Sequence, residues 1–405
     1  MVAFPLNKPK ILVLMHYLEL GGAEMALIGL LNALDPERVD VDLFIYSHQG
    51  PLMKFIPEWV NLLPEVRAYS MIERPMSEAL RNGQFGVVAG RLLARMRHRR
   101  YIRAAHFSGD DGSIMQYVGN CVTPVLPKIN PDVEYDLCIS FLTPHNIGRD
   151  KVRARRRLAW IHTDYSTVHV NPALELPVWG AYDHIAAISP EVRNSFIRTF
   201  PVLEPEIVEI ENILSSDFVR CRAEEAAVAS EFSGSVNLLS IGRFCTAKNY
   251  DNVPDIARRM IESGVEGLKW YIIGFGGSEE LIRAKIKEAG MEEHVILLGK
   301  KENPYPYIKA CDIYVQPSRY EGKSVTVREA QMLCKPVVVT AYPTAASQIR
   351  DGIDGVIVPL DNEGCARALA EFIKDKEKQK SLIEYCTNND FGNRTEVEKI
   401  YNLLK

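Results

Sequence analysis

"LKWYIIGFGGSEELIRAKIKEAGMEEHVILLG", residues 268–299, decides the fold class. It opens on a short apolar run, LKWYIIG, and turns through Gly274, Gly276 and Gly277. It continues as an amphipathic SEELIRAKIKEAG, closed by Gly290, and returns to an apolar HVILLG. Short apolar, longer amphipathic, short apolar is the pattern of a β-α-β unit, whose two strands lie parallel with a right-handed crossover. A glycine just past the amphipathic run is the expected helix stop.

The same pattern extends on both sides. VNLLSIGR (236–243) leads to NVPDIARRMIESG (252–264), and the short helix PYPYIKAC (304–311) leads to DIYVQP (312–317) and later to CKPVVVT (334–340). An independent series runs near the start: KILVLM (10–15), AEMALIGLLNAL (23–34) and VDVDLFIYS (39–47), then YDLCISF (135–141), RLAWIH (157–162) and HIAAIS (184–189). Residues 50–130 hold helical stretches without clean alternation and receive no assignment. The polar, small-residue-rich 212–235 reads as the linker. The expectation is α/β: two Rossmann-like, doubly wound domains, 1–214 and 215–405, facing a central cleft. Ligands in such sheets bind beyond the carboxyl ends of the strands.

Bulk properties agree with a soluble globular chain. Of 405 residues, 47% are hydrophobic and 25% charged, and the net charge of −4 gives no electrostatic case for nucleic acid. The eight cysteines form no C-x-x-C pair, which argues against a zinc site and a disulfide framework and fits a reducing cytosol. The N-terminal MVAFPLNKPKILVLM has too short an apolar run for a signal peptide, and no stretch reaches the ~20 apolar residues that span a bilayer. A cytoplasmic protein is expected, meeting a membrane only from its surface.

Four stretches sit at strand ends. LELGGAE (18–24) pairs Gly21 and Gly22 at a helix start; alone it reads as a tight turn, although such a turn also lets phosphate reach backbone N–H groups. IGRFCTAKNYD (241–251) places Arg243 and Lys248 between strand and helix, either as solvated loop cations or as a diphosphate clamp. The glycine turn Gly274–Gly277 lacks the G-x-G-x-x-G spacing, so it points weakly to a nucleotide. Finally, SRYEGKSVTVREAQMLCKPVVVT (318–340) carries Glu321 in a loop and Glu329 on the apolar stripe of a helix starting near Ser324. A carboxylate there needs hydrogen-bond donors, and either a pair of ribose hydroxyls or an ion pair with Arg328 would supply them.

Taken together these stretches resemble the retaining glycosyltransferases of family 4, which have the GT-B fold. The likeness runs almost continuously from SIGRFCTAKNYD through ENPYPYIKACDIYVQPSRYEG to the E-x7-E pair and CKPVVVT; in the N-terminal half it rests on GGAE and WIHTD. Its flavour is that of bacterial capsule, exopolysaccharide and O-antigen enzymes. The resemblance implies a donor-binding domain at 215–405, whose last helix packs back on an acceptor-binding domain at 1–214. It implies that Glu329 binds the ribose of a nucleotide-sugar, Arg243 and Lys248 neutralise its diphosphate, and Gly322, Lys323, Ser324 and Val325 contact sugar and phosphates. Gly21, Gly22, Gly274, Gly276 and Asn303 join the donor-binding set. Glu321, near the transferred sugar, and His162 of WIHTD, near the reacting carbon, are the catalytic candidates. Lys323 and Ser324 replace the family's usual Phe and Gly, so the sugar pocket differs in shape.

The expected activity is retaining transfer of a hexose or N-acetylhexosamine to a glycan or lipid-linked glycan in surface polysaccharide synthesis. A UDP-sugar is favoured over GDP-mannose as donor. No cofactor or metal is expected, because cations and a helix N-terminus suffice for the leaving diphosphate. A nucleotide-sugar epimerase of the same fold and a nucleotide-binding module without catalysis are the alternatives. Two cationic segments, GRLLARMRHRRYIRAA (90–105) and RDKVRARRR (149–157), read equally as solvated surface or as contacts to anionic lipid on the inner face of the cell membrane.

Overall fold

The computed structural model describes residues 8–19, 21–105, 112–166 and 168–405. Residues 1–7 of the N-terminal stretch, and Leu20 of LELGGAE, lie outside that set. The chain divides into two compact units, Met1–Leu214 with Asn393–Lys405, and Ser215–Gly392.

The first unit is built on a seven-stranded sheet in the order β3-β2-β1-β4-β5-β6-β7. Its strands are β1 (Lys10–Met15), β2 (Asp40–Ile45), β3 (Asn61–Leu62), β4 (Tyr135–Ser140), β5 (Ala154–Ile161), β6 (His184–Ala187) and β7 (Ile207–Glu209). Every described pairing in it is parallel. Central strands of a parallel sheet are covered on both faces, so Ile11–Val13 and Leu137–Ile139 are fully buried and their sequence is continuously apolar. Among its described residues the unread stretch 50–130 supplies the two-residue β3 and four α-helices, among them Phe85–Ala105 and Ser113–Val122. The former keeps so narrow a buried face that arginines mask its period. The terminal helix Val397–Asn402 belongs to this unit. Arg38 stacks 3.6 Å over the Tyr401 ring and pairs with Glu398, and the Asp35 N–H donates to the Tyr401 hydroxyl at 2.7 Å.

The second unit has a six-stranded parallel sheet in the order β10-β9-β8-β11-β12-β13. Its strands are β8 (Val236–Ile241), β9 (Leu268–Ile273), β10 (Val295–Gly299), β11 (Ile313–Gln316), β12 (Val337–Thr340) and β13 (Val356–Val358). The helix Val253–Glu262 buries Val253, Ile256, Ala257 and Met260, the i, i+3, i+4, i+7 stripe that seats it on the sheet. Gly264 and Gly290 adopt left-handed backbone just past their helices.

One expectation is corrected. Residues 212–235 are not a plain linker, because Ser216–Ala223 is a helix capped by the Ser215 side chain and buried through Val219, Arg222 and Ala223. Composition misled because the buried side of this helix carries an arginine. Arg222 is only 2% exposed, and its guanidinium lies 5.9 Å from the Tyr305 ring centroid.

Candidate functional site

In the second unit the strand order reverses between β8 and β11, the point at which doubly wound sheets open a crevice at the carboxyl ends of their strands. Two loops meet there. The loop after β8 carries Arg243 and Lys248, and the loop after β11 carries Glu321. Lys248 Nζ lies 2.5 Å from Glu321 Oε1. The same oxygen accepts from Ser318 Oγ at 2.5 Å and, from the end of β11, Gln316 Nε2 at 3.0 Å, so three donors fix one carboxylate. Arg319 clamps the loops together with a bidentate pair to Asp251 at 2.9 and 2.7 Å and a bond to the Thr246 carbonyl at 2.6 Å. Arg243, by contrast, is exposed and has no hydrogen bond or ion pair among the described residues.

Ser324 is the N-cap residue of the helix Val325–Met332. Its backbone is held on both sides by Gln348, which accepts from Ser324 N at 2.9 Å and donates to Ser324 O at 2.6 Å. Gly322 and Lys323 complete the approach to that helix end, and a Cβ at Gly322 would meet nothing within 4 Å. One turn further, Glu329 is 4% exposed and accepts from the Tyr305 hydroxyl at 2.7 Å. Burial pushes its carboxyl up to about 7, against the pull of the Tyr305 hydrogen bond and the Arg222 charge. The helical spacing correctly puts this acid on the buried stripe. Its protein partners are Tyr305 and Arg222, both of which sequence reading missed; Tyr305 was visible only as an aromatic within ENPYPY.

The glycine turn has a packing reason. A Cβ at Gly274 would lie 2.0 Å from the Gly242 carbonyl oxygen, and one at Gly276 would lie 2.5 Å from that of Phe244. The two loops are also joined by Phe244 N to Phe275 O at 2.8 Å and Ser278 N to Phe244 O at 3.1 Å. Glycine here lets the β9 loop support the loop that bears Arg243. Asn303 donates to the Arg222 carbonyl at 2.7 Å and to Glu225 at 2.9 Å, and accepts from Tyr305 N at 3.2 Å. Its amide braces Arg222 and Tyr305, which in turn surround Glu329.

In the first unit Gly21 is the N-cap residue of the helix Gly22–Ala33, with ordinary extended backbone. A Cβ at Gly21 would meet only the mobile end of Glu24, and one at Gly22 would meet nothing. Neither glycine is required by the turn itself. His162 immediately follows β5, packed on Trp160 at 6.0 Å in a stacked geometry and on Phe141 at 4.7 Å. Burial pulls its imidazole down to about 3, so it is neutral at physiological pH, while a backbone hydrogen bond with Phe141 pulls the other way.

The cationic segments divide. In 149–157, Arg149 pairs with Asp150, and Arg155 lies 3.0 Å from Asp136. Arg153, Arg156 and Arg157 donate to backbone carbonyls. These arginines therefore have partners within the protein, while Arg153 and Arg155 stay exposed. In 90–105, Arg95, Arg99, Arg100 and Arg103 are exposed.

Residues 222–389 match the family model described as glycosyl transferases group 1. Among curated proteins, a Campylobacter jejuni N-acetylgalactosamine-N,N'-diacetylbacillosaminyl-diphospho-undecaprenol 4-alpha-N-acetylgalactosaminyltransferase is 30% identical over 160 residues, 39% of this chain and 41% of that protein. A Rhizobium meliloti lipopolysaccharide core biosynthesis glycosyltransferase, LpsE, is 25% identical over 36% of this chain and 42% of its own length. The chain therefore matches only about two fifths of the length of these relatives. Over the whole fold it is similar to Anabaena HepE solved with UDP, with a TM-score of 0.64, 16% identity and coverage of 98% of this chain and 99% of that one. It is also similar to S. aureus TarM in a complex containing UDP, with a TM-score of 0.68, 13% identity and coverage of 98% and 100%. Residues 222–389 thus resemble the group 1 glycosyl transferases, and the chain's two parallel sheets have the GT-B fold.

Proposed function

We propose that this chain transfers a hexose or N-acetylhexosamine, with retention, from a UDP-sugar to a glycan or lipid-linked glycan acceptor in surface polysaccharide synthesis. The unit Ser215–Gly392 takes the donor, and the first unit takes the acceptor. The observation that carries this reading is the meeting of Lys248, Glu321 and the start of the Val325–Met332 helix at the switch point of the second sheet, with Glu329 buried one turn on. Uridine as the base is supported by the UDP named in the HepE and TarM structures. The polysaccharide setting is supported by the names of the Campylobacter and Rhizobium relatives.

Transfer builds positive charge at the anomeric carbon and negative charge on the departing diphosphate. On this reading Arg243 and Lys248 meet the phosphates, and backbone N–H groups of 322–325 add the partial positive charge of a helix start. Lys248 exchanges its bond to Glu321 for one to phosphate, which leaves Glu321 to face the sugar. Glu329 accepts from the ribose hydroxyls. Gly21 and Gly22 keep the donor-side role the resemblance implies, and neither is required sterically by its own turn. His162 keeps the role the resemblance implies, beside the reacting carbon, as a neutral hydrogen-bonding group. The departing phosphate oxygen receives the acceptor proton in a front-face attack, so no side-chain base and no metal ion is invoked. Among the described residues no helix is long and apolar enough to cross a membrane; the exposed face of the Phe85–Ala105 helix is proposed to rest on an anionic bilayer.

The test is incubation with a panel of UDP-hexoses, UDP-N-acetylhexosamines and GDP-mannose, reading nucleotide release and the anomeric configuration of any product. UDP release with retained configuration supports the reading. Isomerised donor without release would point to an epimerase, and binding without turnover to an inactive module. Absence of any nucleotide binding would overturn the donor site itself.

A further inference from the structure

A cavity of about 120 Å³ lies wholly within the first unit, among the loops after β4 and β5 and the helices Ser113–Val122 and Pro172–Trp179. Five of the side chains that line it each hold a buried polar atom with no hydrogen-bond partner among the described residues: Gln116 Nε2, His145 Nε2, Asn146 Nδ2, Trp160 Nε1 and His162 Nε2. Three of these residues, His145, Asn146 and Trp160, are no more than 2% exposed. Buried donors and acceptors in folded proteins are nearly always paired, so a cluster of unpaired ones around one cavity marks a place where a ligand supplies the partners.

The chemistry of that ligand follows from the walls. Among the described residues no lysine or arginine lines the cavity. Burial holds both imidazoles down to about 3, so neither supplies positive charge. Among the described lining residues the one acidic group, Glu175, already accepts from the Tyr165 hydroxyl at 2.9 Å and Trp179 Nε1 at 3.1 Å. An anion entering would be desolvated without a counter-charge. Trp160 and Asn146 offer N–H donors, and each neutral imidazole offers an Nε2 that accepts or donates according to tautomer. His145 fixes its other nitrogen against Ser140 Oγ at 2.8 Å. The size is comparable to the roughly 150 Å³ cavity that admits one benzene ring. It suits a side arm of a sugar with its adjoining ring edge.

We propose that this cavity receives an uncharged hydrogen-bonding arm of the acceptor glycan, acetamido or hydroxymethyl, and so selects neutral sugars over uronic acids and phosphosugars. The inference rests on the reading of the first unit as the acceptor side.

The experiment is ligand-observed saturation-transfer NMR on the full chain with UDP present. The probes are methyl glycosides of N-acetylglucosamine, N-acetylgalactosamine, glucose and glucuronic acid. Strong transfer to the acetamido methyl or the hydroxymethyl arm is expected, with none to the glucuronide. Trp160→Phe keeps the ring packing and removes the N–H, and Asn146→Leu removes the amide; each is expected to weaken glycoside binding at least tenfold with UDP affinity unchanged. Should Trp160→Phe fail to fold, Asn146→Leu decides. Equal binding of the glucuronide, no glycoside binding at all, or unchanged binding in a folded variant overturns the inference. Loss of UDP binding by the wild type would instead strike the donor-site reading. Arms differing at C2 and C6 of the glycosides separate the two neutral groups.

Discussion

The hydroxyl of Tyr305 donates to Glu329 Oε1 at 2.7 Å inside a site where the Arg222 charge also acts. Burial nevertheless wins, and the carboxyl sits at about 7 instead of its ordinary 4.5. Ribose hydroxyls donate best to the ionised form, so UDP affinity is expected to be constant well above pH 7. Below pH 7 it should weaken toward tenfold per pH unit. Titration calorimetry from pH 5.5 to 8.5 checks this, and Glu329→Gln should bind UDP roughly 10- to 100-fold more weakly with a flat pH profile. A flat profile in the wild type would remove Glu329 from the nucleotide.

The same group links pH to stability. The folded state holds the Glu329 proton up to about 7, whereas the unfolded chain releases it near 4.5. Stability from this group is therefore fully present below 4.5 and is lost as pH rises through 7. Glu329→Gln should unfold at a higher temperature than the wild type at pH 8, by on the order of 3 kcal/mol at most, and the gap should close toward pH 4.5. Thermal melts at the two pH values, without nucleotide, measure it.

Much of this architecture was legible because it rests on patterns that sequence carries locally. The β9 strand, the following helix and the Gly290 stop coincide with the apolar run, the amphipathic run and the closing glycine read from 268–299. Glu329 was legible as a buried acid from helical spacing, although Val325 and Leu333, the neighbours that placed it, are only half-buried and the helix buries Val327, Ala330 and Met332. What was not legible depends on contacts distant in sequence. Arg222 and Glu329 are joined only by folding, so a polar helix passed for a linker. The packing reason for Gly274 and Gly276 was not legible either, because a steric conflict with Gly242 and Phe244 leaves no mark in the local sequence. The partners of Arg153 and Arg156 are backbone carbonyls, which no charge count reveals.

Those glycines give a prediction of their own. Gly274→Ala forces a Cβ against the fixed Gly242 carbonyl, and Gly276→Ala forces one against that of Phe244. Each should cost about 1–3 kcal/mol, as overpacked sites do. Gly322→Ala meets open space and should melt within about 0.5 kcal/mol of wild type. Chemical denaturation of the three variants compares them. Near-neutral behaviour of Gly274→Ala would return that turn to a purely ligand-facing role.

Lys248 and Glu321 separate binding from turnover. Because the charge that Lys248 meets grows as the diphosphate departs, Lys248→Ala should lower kcat on the order of 100-fold, with a smaller change in UDP affinity. Activity is expected to persist in EDTA, since the fixed cations already answer the diphosphate. Complete loss in chelator, restored by magnesium or manganese, would show that a metal ion shares that task.

The Phe85–Ala105 helix turns an apolar stripe outward. Phe85 is 67% exposed, Leu92 49% and Met96 60%, with Ala89 between them, at a spacing of i, i+4, i+7, i+11. The following turns expose Arg99, Arg100 and Arg103, with Arg95 beside Met96. An apolar edge continued by arginines is the face that an interfacial helix presents to anionic headgroups, each cation contributing about 1 kcal/mol near the surface. Arg91 and Arg97 are not part of that face: Arg91 donates to the Met71 carbonyl at 3.2 Å, and Arg97 lies 3.7 Å from Cys121 Sγ. Co-sedimentation with vesicles containing phosphatidylglycerol should exceed that with phosphatidylcholine alone, and should fall as salt rises and screens charges beyond ~10 Å at 0.1 M. Changing Arg95, Arg99 and Arg103 to Glu should abolish the salt-sensitive part. Phe85→Ser with Met96→Ser should weaken binding at every salt concentration, because the stripe's contribution is apolar. Both variants alter solvent-facing groups and should keep the wild-type melting temperature within a few degrees. Equal partitioning to the two vesicle types, or no loss in either variant, would make this helix an ordinary solvated one.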